Sequence, residues 1–285
     1  MIQSMTGYGK TELQLPTKKV TIEIKSLNSK NLDLNVRTPS YYKEKELEVR
    51  KKIAKILVRG KVDFSIYVES IGQNLSSEIN TEAIKTYMSQ LKEVSDASDV
   101  ELLQMAIGLP ETMQTSREKL DHGEWQSISN GIDETLKKIS TYRSDEGVVL
   151  KEDFKKRLTI IEDRLKDVVE IDPERMINVR ERLRKSVLEL EAKVDENRFE
   201  QELMYYLEKL DITEEKVRLQ NHLSYFLQEL NSDTSNGKKL GFITQEIGRE
   251  INTIGSKANF AEMQKLVVQM KDELEKIKEQ NLNVL

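Results

Sequence analysis

The 285-residue chain is 33% charged and 37% hydrophobic, with a net charge of -5 and no cysteine. Disulfide scaffolds, thiolate zinc sites and cysteine nucleophiles are excluded together, so any metal falls to oxygen donors or to the two histidines. The chain is too apolar to be disordered and too acidic to coat itself in nucleic acid by bulk charge. Its dense charge suits long amphipathic helices. No window reaches the length of a membrane span, and the start lacks a basic segment followed by an apolar one, so a cytoplasmic protein with no membrane or DNA partner is expected.

In chain order, Met5 to Leu15 and Val20 to Leu27 read as strands about a Pro16-Thr17 turn, since Val20, Ile22 and Ile24 alternate with polar residues. Leu32, Leu34 and Val36 alternate likewise. Pro39 then precedes a helix carrying Leu47, Ile53, Ile56 and Leu57, which Gly60 is expected to stop. Val62 to Val68 makes a fourth strand, and a helix follows around Ala83 to Val94. The run Arg50, Lys51, Lys52, Lys55, Arg59 and Lys61 follows Glu44, Glu46 and Glu48, and reads either as a solvated helix face or as a local basic surface. Past about Asp96 alternation ceases, and the remainder reads as helical apart from loops near Gly108-Leu109-Pro110 and Asp121-His122-Gly123. His122 in the second loop reads as surface structure. Asp145 to Val169 and Pro173 to Val194 show helix-period apolar residues, with Pro173 suited to a first turn. The fold class is therefore α+β. An N-terminal domain (1–95), strand-strand-strand-helix-strand-helix in order, precedes a helical arm region (96–195) and a C-terminal helical domain (196–285).

The last ninety or so residues carry the chemistry. Asp211 with Glu214 resembles a capping box, and the helix after it buries Leu219, Leu223, Phe226, Leu227 and Leu230. Beside that face, at steps of three and four, run Asp211, Glu215, Arg218, His222, Tyr225 and Glu229. A second helix from about Lys239 buries Ile243, Ile247, Ile251, Ile254 and Ala258. It is flanked by Glu246, Glu250, Thr253 and Lys257, with Gln245, Arg249, Asn252 and Ser256 alongside. Packing the two apolar seams brings flanking stripes together at the seam edge. Those stripes hold the parts of a metal-phosphate site: carboxylates for a hard divalent ion, Arg249, Lys238, Lys239 or Lys257 for phosphates, and His222 to move a proton. The plainer reading of Glu246, Arg249 and Glu250 is an intrahelical salt-bridge set, and of His222 a hydrogen-bonded structural residue. Glu215 and His222 stand two turns apart, about 10 Å along the helix, too far to share one ion readily. Gly237-Lys238 lacks the flanking residues of a Walker-type phosphate loop, and the chain has no serine nucleophile elbow and no histidine pair at zinc spacing.

Several ordered blocks resemble the YicC/YloC family. The opening Met1-Ile2-Gln3-Ser4-Met5-Thr6-Gly7-Tyr8-Gly9 is similar to the family's usual Ser-Met-Thr-Gly-Phe-Gly phrase, and Glu23 to Asn28, Leu32-Asp33 and Arg59 to Val62 continue the match. Glu146-Gly147, Asp211 to Glu215, Arg218-Leu219, His222-Leu223, Gly237 to Leu240, Phe242, Gln245-Glu246, Arg249-Glu250, Asn252 to Ala258, Glu279-Gln280 and Asn283 follow in order. The departures are Gly241, Gly248 and Ser29, where members usually carry Asp, Asn and often His. The resemblance implies an endoribonuclease that uses a divalent cation (Mg²⁺ or Mn²⁺), cuts single-stranded or structured RNA and assembles as a homo-oligomer, a hexamer, with the long helices as arms around RNA.

Two functions from different classes follow. In the first, a hydrolase, metal is held by some of Glu215, Glu246 and Glu250, and His222, Glu246, Arg249 and Glu250 do the chemistry. Lys238, Lys239, Arg218, Lys257, Asn252 and Ser256 bind RNA. In the second, a non-catalytic adaptor presents RNA to another nuclease with the same surface; it would bind RNA in a salt-sensitive way without creating new ends.

Overall fold

The structure, a computed structural model, describes residues 2–71, 78–114, 121–189 and 196–285. Strands β1 (Gly7–Gln14) and β2 (Lys18–Leu27) form the expected hairpin, closed where the Leu15 amide donates to the Lys18 carbonyl at 2.8 Å. β3 (Leu32–Arg37) leads through a short 3-10 turn to helix α1 (Glu46–Ile56) and then to β4 (Gly60–Ser70). Gly60 plays a different part from the one expected. The helix has already ended, and Gly60 opens β4 with a φ of 125°, at a point where a Cβ would lie 3.0 Å from the Leu27 carbonyl oxygen.

The sheet order is β1-β2-β4-β3, antiparallel except for the parallel β3-β4 pair. The β2-β4 register sets Val20 opposite Val68, Ile22 opposite Ile66 and Ile24 opposite Phe64, so alternation delivers these apolar side chains to one face. That face packs on Val49 and Ile53 of α1 and on Trp125, Ile128, Ile132, Leu136 and Ile139 further along the chain. Three of the six basic residues of the run hold this layer together. Arg50 donates to Glu46 and to the Leu34 carbonyl, Lys52 to Asp133 and Ser129, and Arg59 to the Ser29 carbonyl.

β5 (Glu78–Ile79), α2 (Thr81–Val94), α3 (Asp99–Ile107) and β6 (Met113–Gln114) form a small unit, with α2 packed on α3 and β5 paired with β6. Helix α4 (His122–Glu189) then runs for 68 residues, roughly 100 Å by the helical rise. Two expectations change here. His122 is the first residue of α4 rather than part of a loop, because Asp121 accepts from the Glu124 amide at 3.0 Å and starts the helix. Pro173 lies inside α4 and does not open a second helix. A proline removes one backbone hydrogen bond and crowds the preceding turn, but side chains brace the helix on both sides of it. The almost fully buried Arg175 pairs with Asp172 at 2.7 Å and donates to the Leu210 carbonyl at 2.9 Å, while Lys216 pairs with Asp172 at 2.7 Å. The end of the expected helix, residues 190–194, lies outside the described residues.

Helices α5 (Glu196–Leu210), α6 (Thr213–Leu230), α7 (Gly237–Lys257) and α8 (Ala261–Asn281) complete the chain. The middle of α4, from Phe154 to Val168, shares a second core with the inner faces of α6, α7 and α8. Phe154 and Phe226 meet edge to face with centroids 5.7 Å apart. One long helix thus serves both cores, and the expected α+β class holds. The two ends of the chain are stitched between them. Ser4 bridges Val284, the Met5 amide donates to the Asn283 carbonyl at 2.8 Å, and the Leu285 amide to the Gln3 carbonyl at 2.9 Å. Beneath this stitch Arg143, 2% exposed, donates to the Met5 carbonyl at 3.0 Å and to the Ser26 hydroxyl; burial lowers its pKa to about 10, so it remains charged. Among the described residues no helix is long and apolar enough to cross a membrane.

Candidate metal centre on the paired C-terminal helices

The site is built on the antiparallel pair α6-α7. Leu219, Leu223, Phe226 and Leu230 on one helix and Ile243, Ile247, Ile251 and Ile254 on the other are all at most 5% exposed, and this seam fixes the register of everything beside it. The entry into α6 differs from the expected capping box. Asp211 accepts from the Thr213 amide at 3.1 Å and from its hydroxyl at 2.7 Å, while Glu214 turns to Arg218. The Thr213 hydroxyl, more than the nearby lysines, holds the Asp211 carboxyl below the usual range. α7 begins at Gly237, capped where Asn236 accepts from the Lys239 amide at 3.1 Å.

At the seam edge, Glu215, His222 and Glu229 recur every seven residues on α6 and face Lys257, the Glu246-Glu250 pair and Lys239 on α7. The outer rungs are ion pairs. Lys257 Nζ stands 2.8 Å from Glu215 and 2.9 Å from the Asp211 carbonyl oxygen, while Lys239 Nζ stands 2.6 Å from Glu229. Glu229 foremost, then Tyr225, raises the pKa of Lys239, whose ammonium also lies 5.0 Å from the Tyr225 ring centroid. The middle rung has no lysine. One imidazole nitrogen of His222 and one carboxylate oxygen each of Glu246 and Glu250 lie within 4.8 Å of one another. Glu250 is only 4% exposed and, among the described residues, has no ion pair; the nearest cation to Glu246 is Arg249 at 4.0 Å. A buried carboxylate without a cation is costly. One nitrogen and two oxygen donors converging from two rigid helices are chemically suited to a divalent cation with open positions for water or phosphate.

The residues expected in the site divide between two faces of α7. His222, Glu246 and Glu250 come together. Glu215, expected among the metal ligands, is engaged by Lys257 one rung away, which also occupies Lys257, expected on phosphate. Lys239 is likewise held by Glu229, and Arg218 by Glu214. Lys238 is exposed. Arg249, Asn252 and Ser256 line an open groove on the α8 side, together with Gln245, Gly248, Thr253 and Lys278. Gly248 and Gly241 face α8: a Cβ on Gly248 would lie 3.2 Å from Leu274 and one on Gly241 3.1 Å from Asn281. The reading of the sequence missed the Asp172-Arg175-Lys216 brace; the three-residue spacing of Asp172 and Arg175 is the signal that could have found it.

Family profiles match both halves of the chain. The N-terminal region profile of YicC-like endoribonucleases matches residues 2–152, and the C-terminal profile of the same family matches residues 168–285, which include every residue of the three rungs. A protein of Clostridioides difficile named as a probable endoribonuclease YicC is 31% identical over 292 aligned residues, covering the whole of both chains. One of Haemophilus influenzae with the same name is 28% identical over 289, again over the whole of both. With family profiles on both the sheet and the helical site, and relatives matched end to end, the chain belongs to the YicC-like endoribonuclease family.

Proposed function

We propose that the protein is a divalent-cation-dependent endoribonuclease whose cation is held by His222, Glu246 and Glu250. The observation that carries this reading is the middle rung, where a nearly buried Glu250, with no cation partner among the described residues, faces a second carboxylate and an imidazole within 4.8 Å. When bound, a divalent ion such as Mg²⁺ or Mn²⁺ supplies neutralisation of phosphoryl charge and activation of water. His222, expected from the sequence to move a proton, here offers a ring nitrogen as a metal ligand. The exposed Arg249 holds an RNA phosphate beside the cluster and the exposed Lys238 one about two turns away along α7, and Asn252 and Ser256 extend the polar track along the groove toward α8. Glu215, Lys257, Glu229 and Lys239 are positioning residues that clamp the two helices in register on either side. Assembly into a hexamer with the long helices arranged around RNA belongs to the same reading.

Purified protein is expected to cut a labelled RNA with Mg²⁺ or Mn²⁺, to stop with a chelator, and to lose about 10² or more in rate in Glu250→Gln, as removal of a charged metal ligand does. Wild-type protein that binds RNA but generates no new ends at any divalent ion overturns the nuclease reading in favour of the non-catalytic adaptor. A folded Glu250→Gln variant cutting at the parental rate overturns the site.

A further inference from the structure

Phe242 is 70% exposed, more than any other phenylalanine, tyrosine or tryptophan among the described residues. It does not serve the core of its helix: Leu240, Ile243, Ile247, Ile251 and Ile254, the other large apolar residues of α7, are each at most 5% exposed. Its position is specific. It stands one turn after Lys239 and one turn before Glu246, on the outward face of α7 that also carries the exposed Lys238, Gln245 and Arg249. Across the seam, Tyr225 is 42% exposed, and its ring already faces Lys239. Two accessible aromatic rings therefore stand next to the His222-Glu246-Glu250 cluster, interleaved with cations. A protein interface would ask for a contiguous apolar patch, and here a single phenyl ring is surrounded by charged and amide side chains. Cations spaced around an isolated ring fit one ligand chemistry well: a nucleobase stacked on the ring, with its phosphates on the cations.

We infer that Phe242 is a nucleobase-stacking residue that seats one unpaired base and so fixes which nucleotide lies against the His222-Glu246-Glu250 cluster. The inference rests on the ribonuclease reading of that cluster for its consequence, but the stacking itself does not need the cluster to cut. A base inside a duplex is already stacked on both sides and cannot take the ring, so the position of the nearest unpaired base governs where the strand is presented.

The test uses the full-length protein and a single-stranded RNA carrying 2-aminopurine at successive positions. In chelator, where no cleavage occurs, wild-type protein is expected to quench the fluorescence of the probe, since stacking quenches it. Phe242→Trp keeps the quenching, whereas Phe242→Leu, which keeps the apolar bulk but not the π face, loses it and weakens RNA binding on the order of tenfold, the equivalent of one stacked base. With divalent ion, Phe242→Leu raises KM by a similar factor, leaves kcat within about threefold and blurs the set of cleavage positions. Equal quenching in wild type and Phe242→Leu, or none in either, overturns the inference. Quenching that depends on Phe242 in a protein that never cuts RNA leaves the stacking residue standing and removes the nuclease reading. The exposure of Phe242 means that both variants should melt with the parental protein, so an unfolded variant would itself contradict the assigned role.

Discussion

Replacing Lys257 with Met separates what Glu215 does from what the metal cluster does. Glu215 is 5% exposed, with one carboxylate oxygen 2.8 Å from Lys257 Nζ and the other buried with no partner among the described residues. Lys257→Met strands that carboxylate, and removing one member of a buried pair typically costs about 3–5 kcal/mol. The Lys257 side chain is 30% exposed, so water can partly reach the gap and the lower end, about 3 kcal/mol, applies. For a domain approaching this length that is a fall of roughly 6–12 °C in Tm. Glu215→Gln removes the charge instead, leaving Lys257 with water and the Asp211 carbonyl at 2.9 Å, and should cost about 1 kcal/mol. The double variant should cost less than the sum, with a coupling of about 2 kcal/mol. Urea unfolding of the four proteins, with Mn²⁺ affinity measured alongside, closes the cycle. Strictly additive effects, or a Glu215→Gln variant that keeps its stability but binds Mn²⁺ more than tenfold more weakly, would refute the assignment and return Glu215 to the metal.

A Cβ on Gly147 would lie 2.1 Å from the Ile2 carbonyl oxygen, so Gly147→Ala must push the start of the chain off α4. A loss of about 1–3 kcal/mol is expected, together with faster amide exchange at Ser4 and Met5; an unchanged melt and unchanged exchange would contradict the stitch between the chain ends. The depressed carboxyl of Asp211 contributes stability that is present above the unfolded value of about 3.9 and lost as pH falls through the lower folded midpoint. Thr213→Val removes the leading cause and should move the Asp211 midpoint up toward the ordinary aspartate value, read by carbon chemical shifts; a midpoint that stays put refutes the turn. Phe154→Ala should cost about 3–5 kcal/mol by opening a cavity against Phe226, and a loss under 1 kcal/mol by chemical denaturation would show that the second core is not packed through that pair.

Much of the fold was legible because its signals are local. Val20, Ile22 and Ile24 alternate and do form a central strand, and the 3.6-residue period of Leu219 to Leu230 and of Ile243 to Ile254 specifies the two helices and their flanking stripes. What remained hidden depends on register and on long-range braces. Seven-residue spacing put Glu215, His222 and Glu229 on one edge, but only the packed seam decides that His222 meets Glu246 and Glu250 while Glu215 meets Lys257. Pro173 carries a strong local signal for a helix start, overridden by Arg175 bonding to Leu210, thirty-five residues away in sequence. The capping-box pattern at Asp211 and Glu214 failed because the Thr213 hydroxyl and Arg218 offered each carboxylate a closer partner. Arg143 lies in a stretch rich in charge and gives no sign in the sequence that its guanidinium is buried beneath the joined chain ends.

The central claim is that one divalent ion is shared between α6 and α7. Anomalous scattering from a crystal soaked in Mn²⁺ tests it most directly. A single strong peak is expected at coordinating distance, roughly 2.0–2.6 Å, from a nitrogen of His222 and from carboxylate oxygens of Glu246 and Glu250. A peak at Glu215, or none between the two helices at saturating Mn²⁺, would contradict it.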